Sequence, residues 1–226
     1  MDADMTTASP TIADRVDTME RSTMAQMPAE AVATFHREQS RMAGLGVPAD
    51  VASPGLSLPD IELLDVHGAA TSLAGTQAGQ PVVLVFYRGA WCPYCNVGLR
   101  AYQADLLPTL RERGITLVAV SPQKPDGSLS AQESNELRYP VLSDPGNKLA
   151  RALGIVTEHG DEAKAAQLGL GLDVAEVNAD GTHELPMPTV AIVDGGGVLR
   201  WIDVRPDYAT RTEVPEIIAG LSTLQG

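Results

Sequence analysis

The chain has 226 residues, a formal net charge of −13 and an apolar content of 44%. A domain of this size buries enough apolar surface to fold without disulfide bonds, and the negative charge disfavours nucleic acid and anionic membranes as partners. The sequence contains no run of about 18 apolar residues for a membrane span, and its N-terminus lacks the basic start and apolar core of a signal peptide. These features predict a cytoplasmic protein with no nucleic-acid and no membrane partner.

Residues 1–45 are predicted to form a helical N-terminal extension. Met1–Pro10 is typical of a disordered start, and a first helix is marked by apolar residues at helical spacing, Ile12, Val16 and Met19. A second helix is expected from Pro28 to about Ala43. Six of the seven methionines lie in this part of the chain, and a Met-rich segment can bind a partner. The narrow apolar faces favour instead helices packed on the domain or on a second copy of it.

Residues 46–58 contain several Gly and Pro and are predicted to be a linker, and residues 59–226 to form an α/β domain. Ile61–Asp65 and Ala70–Ser72 are typical of a hairpin, whereas Val82–Tyr87 and Ile115–Ser121 are apolar runs that fit parallel strands buried on both faces. Farther along, the pattern predicts a polar helix at 128–137, a short edge strand at 140–144, helices at 148–153 and 161–170, strands at 189–193 and 198–204, and a closing helix at 214–224.

Cys92 and Cys95 lie between the strand ending at Tyr87 and a predicted helix with one apolar face, formed by Leu99, Tyr102, Leu106 and Leu110. Pro93 fits the first position of that helix, so the free N–H groups and the positive end of the helix dipole point at Cys92. Such a position and a Cys-x-x-Cys spacing can lower a cysteine pKa from ~8.5 to roughly 3.5–7.5. In a β-α-β setting this spacing is typical of a thioredoxin-like redox site.

The same two cysteines also fit a structural disulfide, half of a zinc site or inert core thiols. A structural zinc needs four ligands, but the chain has no second cysteine pair and its histidines lie far apart in the sequence, His36, His67, His159 and His183. We therefore predict a redox pair, with no metal and no cofactor. A reactive pair with no other cysteine fits a reducing compartment.

The chain resembles the peroxiredoxin-like branch of the alkyl hydroperoxide reductase/thiol-specific antioxidant (AhpC/TSA) family of the thioredoxin superfamily. The match runs from about Pro59 to Leu224, and its most specific part is the segment Phe86-Tyr-Arg-Gly-Ala-Trp-Cys-Pro-Tyr-Cys-Asn96. The resemblance implies a thioredoxin-like α/β fold, a central mixed sheet flanked by helices, with an N-terminal β-hairpin and, here, the helical extension before it.

The resemblance also implies an activity, a thiol-dependent peroxidase with an antioxidant role. It would reduce hydrogen peroxide or organic hydroperoxides through a sulfenic acid and a Cys92–Cys95 disulfide, which a thioredoxin or glutaredoxin-type reductant reduces again. The alternative is a thiol–disulfide oxidoreductase acting on protein or glutathione disulfides. A third class is a redox sensor or scaffold whose Met-rich N-terminus binds a partner. A second copy of the chain, forming a homodimer, is a further candidate partner.

In the peroxiredoxin pattern, Cys95 takes the position of the attacking cysteine and Cys92 resolves. Arg88 then replaces the usual Pro, Cys92 the usual Thr, and Gly98 a frequent Glu. The arginine that a later strand usually supplies would fall at about Pro188, so it is missing. These departures predict slow peroxide chemistry. In the thioredoxin pattern, which is complete, Cys92 would instead be the exposed nucleophile.

Several neighbours are expected to support the site, namely Arg88, Trp91, Pro93, Tyr94, Pro188 and Thr189. Arg88 either stabilises a thiolate or lies on the rim as a surface arginine, and Trp91 shields the sulfur or packs beside Pro188. The resemblance implies a cis peptide bond before Pro188, which would present the Met187 backbone to a bound partner. Asp207 and Arg211 are expected to form a structural ion pair.

Overall fold

The computed structural model describes residues 9–225, so most of the predicted disordered start lies outside the described residues. Its strands are β1 (Glu62–Leu64), β2 (Ala70–Ser72), β3 (Val82–Phe86), β4 (Thr116–Ser121), β5 (Val141–Ser143), β6 (Val156–Thr157), β7 (Leu185–Pro186), β8 (Thr189–Val193) and β9 (Leu199–Val204). In this part of the chain, seven strands form one mixed sheet in the order β2-β1-β5-β4-β3-β8-β9, and β6 and β7 form a separate pair.

The helices are α1 (Ile12–Met24), α2 (Ala29–Leu45), α3 (Leu73–Gln77), α4 (Pro93–Ala101), α5 (Leu107–Glu112), α6 (Pro125–Ser134), α7 (Lys148–Ala152), α8 (Asp161–Gly169), α9 (Val174–Val177) and α10 (Val214–Gly220). A π-helical turn, Tyr102–Leu106, joins α4 to α5, and a 3-10 turn, Leu221–Gln225, follows α10. Within residues 9–225, every helix is too short or too polar to cross a bilayer.

Strand β3 lies at the centre of the core because its apolar run is buried on both faces of the sheet. It pairs in parallel with β4 and antiparallel with β8, with Leu84 opposite Val118 and Ala191. The predicted parallel pair and the predicted β1–β2 hairpin are therefore confirmed. The carboxyl end of β3 leads directly into the cysteine-containing turn.

Two local predictions are wrong, and the polar helix predicted at 128–137 lies three residues earlier, as α6. The strand expected at the sheet edge is β5, which lies between β4 and β1 because the hairpin adds to the sheet beyond it. The helix after the cysteines is interrupted by the π turn, shortly before Pro108, which has no N–H to continue an α-helical ladder. Its apolar face is nevertheless confirmed, since each of the four residues is at most 1% exposed, Leu99, Tyr102, Leu106 and Leu110.

The N-terminal helices pack on the domain. Thr11 and Asp14 form a capping box at the start of α1. The backbone N–H groups of Ile12 and Ala13 each donate to the Glu213 carboxylate at 2.9 Å, which fixes α1 against the start of α10. Helix α2 ends two residues later than predicted, before Gly46, whose φ is positive. This arrangement places α1 beside α4, above the cysteine-containing turn.

Candidate active site

Cys92 and Cys95 lie at the start of α4, as the sequence predicts. Cys92 is the N-cap residue, and its Sγ accepts a hydrogen bond from the backbone N–H of Cys95 at 3.4 Å. Pro93 occupies the first helical turn, where its missing N–H leaves no unpaired donor. Both sulfurs are therefore held within one turn at the positive end of a helix.

Both cysteines are buried, with exposed fractions of 0% for Cys92 and 1% for Cys95, so the expectation of an exposed Cys92 is wrong. Most of the residues around them in the turn and in α4 are buried as well, and α1 packs against α4. The Tyr94 hydroxyl, between the two cysteines, donates to Oε1 of Glu20 in α1 at 2.7 Å and accepts from Nε2 of Gln39 in α2 at 2.9 Å. These two bonds attach the extension to the cysteine-containing turn.

Arg211 supplies the guanidinium that the sequence pattern lacks. Its Nη2 donates to Sγ of Cys95 at 3.1 Å, and its Nη1 donates to the carbonyls of Tyr208 and Thr210 at 2.7 and 2.6 Å. The expected ion pair with Asp207 is wrong, since the Asp207 carboxylate accepts instead from the N–H of Ala209. The arginine thus reaches the sulfur from the segment after β9.

Gly98 explains how Arg211 reaches Cys95. A Cβ placed on Gly98 would lie 3.4 Å from Cγ, Cδ and Nε of Arg211, already at the limit of ordinary contact, so a longer side chain such as Glu would meet the arginine. At position 98 the family often has Glu, and the Gly found here leaves space for the Arg211 side chain. This link between Gly98 and Arg211 was not readable from sequence, because 113 positions separate them.

Arg88 lies inside the site, so the alternative that it is a surface arginine on the rim is wrong. Its backbone N–H donates to Sγ of Cys95 at 3.5 Å, and the residue is 4% exposed. The guanidinium carbon lies 4.1 Å from the ring centre of Tyr208 and 4.9 Å from that of Trp91. Arg88 Nη1 donates to Nε2 of His159 at 2.8 Å, a partner that no sequence pattern indicates.

The two thiols titrate as a coupled pair. Burial opposes ionisation of Cys92, but hydrogen bonding with the Cys95 thiol and the charges of Arg88 and Arg211 hold the pKa of Cys92 well below its usual range. Burial and the neighbouring Cys92 thiolate raise the pKa of Cys95 well above it. The first proton therefore leaves the pair readily, and the second is retained. The pair carries one negative charge.

Two of the expected supporting residues lie in β8 and its approach. The cis peptide bond expected at Pro188 is wrong, because the described residues contain none. The Met187 backbone is not available to a bound partner, since its N–H donates to the carbonyl of Ile155 at 2.8 Å and its carbonyl accepts from the Thr189 hydroxyl at 2.9 Å. Thr189 thereby directs its hydroxyl to the backbone of its own strand end.

A mostly apolar cavity of about 410 Å³ lies beside the cysteine turn. The extension and the region of α8 contribute most of its wall, including Met19, Met24, Met27, Phe35, Leu170 and Leu172. Arg88, Trp91, Pro93 and Tyr94 form the wall on the side of the cysteines. Because both sulfurs are buried, a molecule in this cavity reaches them only when side chains of that wall move.

Comparisons with known proteins identify the family of this chain. The family model described as "AhpC/TSA family" matches residues 54–202. A Mycobacterium tuberculosis protein named as a peroxiredoxin is 30% identical over 115 residues, which cover 51% of this chain and 72% of that protein. Peroxiredoxin Bcp of Escherichia coli is 31% identical over 100 residues, which cover 43% of this chain and 61% of that protein.

Solved structures show the same fold. Prx3 of Vibrio vulnificus superposes with a TM-score of 0.60 at 20% identity, over 75% of this chain and 99% of that chain. Peroxidoxin BcpB of Mycobacterium tuberculosis superposes with a TM-score of 0.55 at 22% identity, over 76% of this chain and 96% of that chain. With a family model that covers well over half of its length and a thioredoxin-like fold around a Cys-x-x-Cys turn, this chain belongs to the AhpC/TSA family.

Proposed function

We propose that this protein is a thiol-dependent peroxidase that uses Cys95 as its attacking residue and Cys92 as its resolving residue. The observation that carries the proposal is the pair of donors at Sγ of Cys95, the Arg211 guanidinium at 3.1 Å and the Arg88 N–H at 3.5 Å. Fixed donors at a sulfur stabilise its thiolate and also stabilise charge that develops on the departing oxygen. Membership of the family supports the same chemistry.

The proposed first step starts from the single negative charge of the pair. Moving the remaining proton from Cys95 to Cys92 places the thiolate under the two donors. The Cys95 sulfur then attacks one peroxide oxygen, so that an S–O bond forms and the O–O bond breaks. The leaving alkoxide or hydroxide takes the proton from the Cys92 thiol. The products are a Cys95 sulfenic acid, an alcohol or water, and a Cys92 thiolate.

The second step uses the thiolate that the first one creates. Cys92 attacks the sulfur of the Cys95 sulfenic acid, an S–S bond forms, and hydroxide leaves and is protonated to water. Two electrons from an external thiol return the disulfide to the dithiol by thiol–disulfide exchange. We propose a thioredoxin or glutaredoxin-type reductant for this step. Because the reductant must reach a buried pair, it acts after the wall of the site has moved.

The burial of both sulfurs argues for a small substrate. A protein disulfide must bring its own sulfur into line with the attacking thiolate, and α1 and α2 cover the turn where this would happen. The apolar cavity favours an organic hydroperoxide over hydrogen peroxide, since burying a CH₂ group contributes about 0.8 kcal/mol. Exchange with a protein disulfide as the substrate is the weaker candidate, because it would require this movement of the wall in the oxidising step as well as in the reducing step.

A sulfenic-acid probe tests the assignment of the two cysteines. Each single variant, Cys92→Ser and Cys95→Ser, is exposed briefly to peroxide and then labelled. We expect label on Cys95 in Cys92→Ser and no label on Cys92 in Cys95→Ser. The reverse pattern would make Cys92 the attacking residue, and the absence of label in both variants would contradict the peroxidase proposal.

A substrate comparison tests the cavity. We expect kcat/KM for cumene hydroperoxide to exceed that for hydrogen peroxide, and Met24→Glu to lower the first without changing the second. Met24 lines the cavity and is the last residue of α1. The matched control is Val47→Glu, which places the same charge at an exposed apolar residue. Equal losses for both substrates would contradict a binding role for the cavity.

We propose further that the protein is cytoplasmic and that it forms a homodimer. The two free cysteines form one reactive pair, which a reducing compartment returns to the dithiol. Alkylation of cell extracts under native conditions would report the redox state of the pair, and light scattering would report the oligomeric state.

A further inference from the structure

The side chain of Arg88 carries a buried positive charge beside the cysteine pair. Buried arginines are usually paired with a carboxylate, because an unpaired buried charge is costly. In the described part of the chain, the hydrogen-bond partner of the Arg88 guanidinium is an imidazole instead, Nε2 of His159 at 2.8 Å. The rest of the guanidinium lies over the faces of Tyr208 and Trp91. Apart from the cysteine pair itself, which favours its positive charge, the groups that contact the guanidinium are therefore neutral.

The hydrogen bonds define the state of His159. A guanidinium only donates, so Nε2 of His159 accepts, and Nδ1 carries the proton and donates to Oε1 of Gln167 at 3.3 Å. His159 is 5% exposed, and burial, together with the charge of Arg88, lowers the pKa of His159 to about 3. The imidazole is thus neutral throughout the pH range in which thiols react.

A neutral acceptor differs from a carboxylate in its effect on the cysteines. Both would hold the guanidinium through a hydrogen bond, but a carboxylate would also cancel most of its charge at the nearby thiolate. We propose that His159 is a positioning residue, which fixes the Arg88 guanidinium beside the cysteine pair and leaves its positive charge to the thiolate. The proposal rests on the proposed function only in that the thiolate is taken to be the reactive species.

The loop that carries His159 is fixed independently of Arg88. The N–H of Gly160 donates to Oε1 of Glu38 in α2 at 3.0 Å, and Arg41 forms an ion pair with the same carboxylate at 2.7 Å. The charged and titratable groups around His159 are Arg88, Glu38, Arg41 and Tyr208. Because Arg41 neutralises Glu38, the carboxylate can hold the loop without pairing with Arg88.

Three substitutions at one position separate the roles of hydrogen bond and charge. His159→Gln keeps a neutral acceptor, His159→Glu keeps an acceptor but adds a negative charge, and His159→Leu removes the acceptor. The readout is the pKa of the reactive thiolate, measured against pH by the alkylation rate and by absorbance at about 240 nm, the thiolate band. His67→Leu, at an exposed histidine, is the matched control.

We expect the thiolate pKa of His159→Gln and of the control to match that of the wild type. His159→Leu is expected to raise it by about one unit and His159→Glu by about 1–3 units, the range for removal of a nearby charge. A purely structural role predicts no rise in the Glu variant, which keeps the hydrogen bond. If His159→Leu does not fold, the comparison between Gln and Glu decides.

Two results would overturn the proposal: an unchanged thiolate pKa in His159→Glu, or a rise in His159→Gln as large as that in His159→Glu. The readout does not depend on turnover. If the wild type fails to reduce peroxides but the pKa pattern holds, the proposed function is wrong and the role of His159 stands. If the wild type reduces peroxides and the pattern is absent, only the role of His159 is wrong.

Discussion

At the scale of single residues, two arginines contact the sulfur of Cys95 through different atoms. Arg88 donates to Cys95 through its backbone N–H, so substitution of its side chain leaves that bond in place. Arg211 donates through its guanidinium, so its contribution depends on the side chain. The two contributions can therefore be separated by mutation.

Arg211→Gln is expected to slow peroxide reduction by about 10²–10³-fold, the usual effect of removing one preorganised donor at a reacting group. Stopped-flow measurement of the first, peroxide-dependent phase checks this value. Arg200→Gln is the matched control, since Arg200 pairs with Asp194 at 2.7 Å near the β8–β9 turn. A loss in Arg211→Gln no larger than that of the control would contradict the role of Arg211.

Sequence reasoning found the cysteines and Arg88, but not the contact of Arg211 with Cys95 or the bond of Arg88 to His159, for a physical reason. The position of Cys92 and Cys95 follows from local features, an apolar strand, a Pro at the first helical position and a helical apolar face. The contact of Arg211 with Cys95 joins residues 116 positions apart and depends on the path of the chain after β9. The bond between Arg88 and His159 is equally non-local, so neither could be read from spacing.

At the scale of elements, Tyr94 links the cysteine-containing turn to both helices of the extension. Its hydroxyl makes one bond to α1 through Glu20 and one to α2 through Gln39. Desolvation, followed by the nearby Glu20 carboxylate, raises the pKa of Tyr94, so the hydroxyl stays protonated and keeps donating. The extension is therefore attached to the residue between the two cysteines.

Tyr94→Phe is expected to lower the free energy of unfolding by about 1 kcal/mol and to increase hydrogen exchange selectively in α1 and α2. Tyr139→Phe is the matched control, because it also removes one buried hydroxyl, which donates to the carbonyl of Leu99 at 3.0 Å. The control is expected to lose similar stability without faster exchange in the extension. Equal exchange in the two variants would contradict the link.

The elements that sequence reasoning placed correctly are those set by local pattern, such as β3 and the β1–β2 hairpin. The central position of β5 depends on where the distant hairpin joins the sheet, which no pattern within β5 records. The position of the extension likewise depends on contacts between residues that are distant in the sequence. Its helices could be predicted, but their position over the cysteines depends on contacts such as that of Tyr94 with Glu20.

At the scale of the whole molecule, His159 makes stability depend on pH. Its pKa is about 3 in the folded protein, against an ordinary value of 6.5 for histidine. Between these two values the unfolded chain binds the extra proton and the folded protein does not, so the folded state loses stability as the pH falls through this window. Above the upper value the contribution is fully present.

His159→Gln is therefore expected to remove an acid-dependent loss of about 2 kcal/mol between pH 7 and pH 5. Urea unfolding of wild type and variant at the two pH values checks this, because the other titrating groups contribute equally to both proteins. The exposed His36 offers the matched control, His36→Gln, which is expected to keep the wild-type loss. Parallel stability curves for wild type and His159→Gln would contradict the assignment.

The placement of both sulfurs on the first turn of α4 has a consequence for damage by excess oxidant. A sulfenic acid either condenses with a thiol or is oxidised further to a sulfinic acid, which ordinary thiols do not reverse. Since Cys92 and Cys95 are neighbours on one turn, the condensing thiol is in reach as soon as the sulfenic acid forms, and α4 need not unfold. We therefore expect the protein to resist inactivation by high peroxide concentrations. Its active lifetime under oxidative stress should be limited by the supply of reducing thiols.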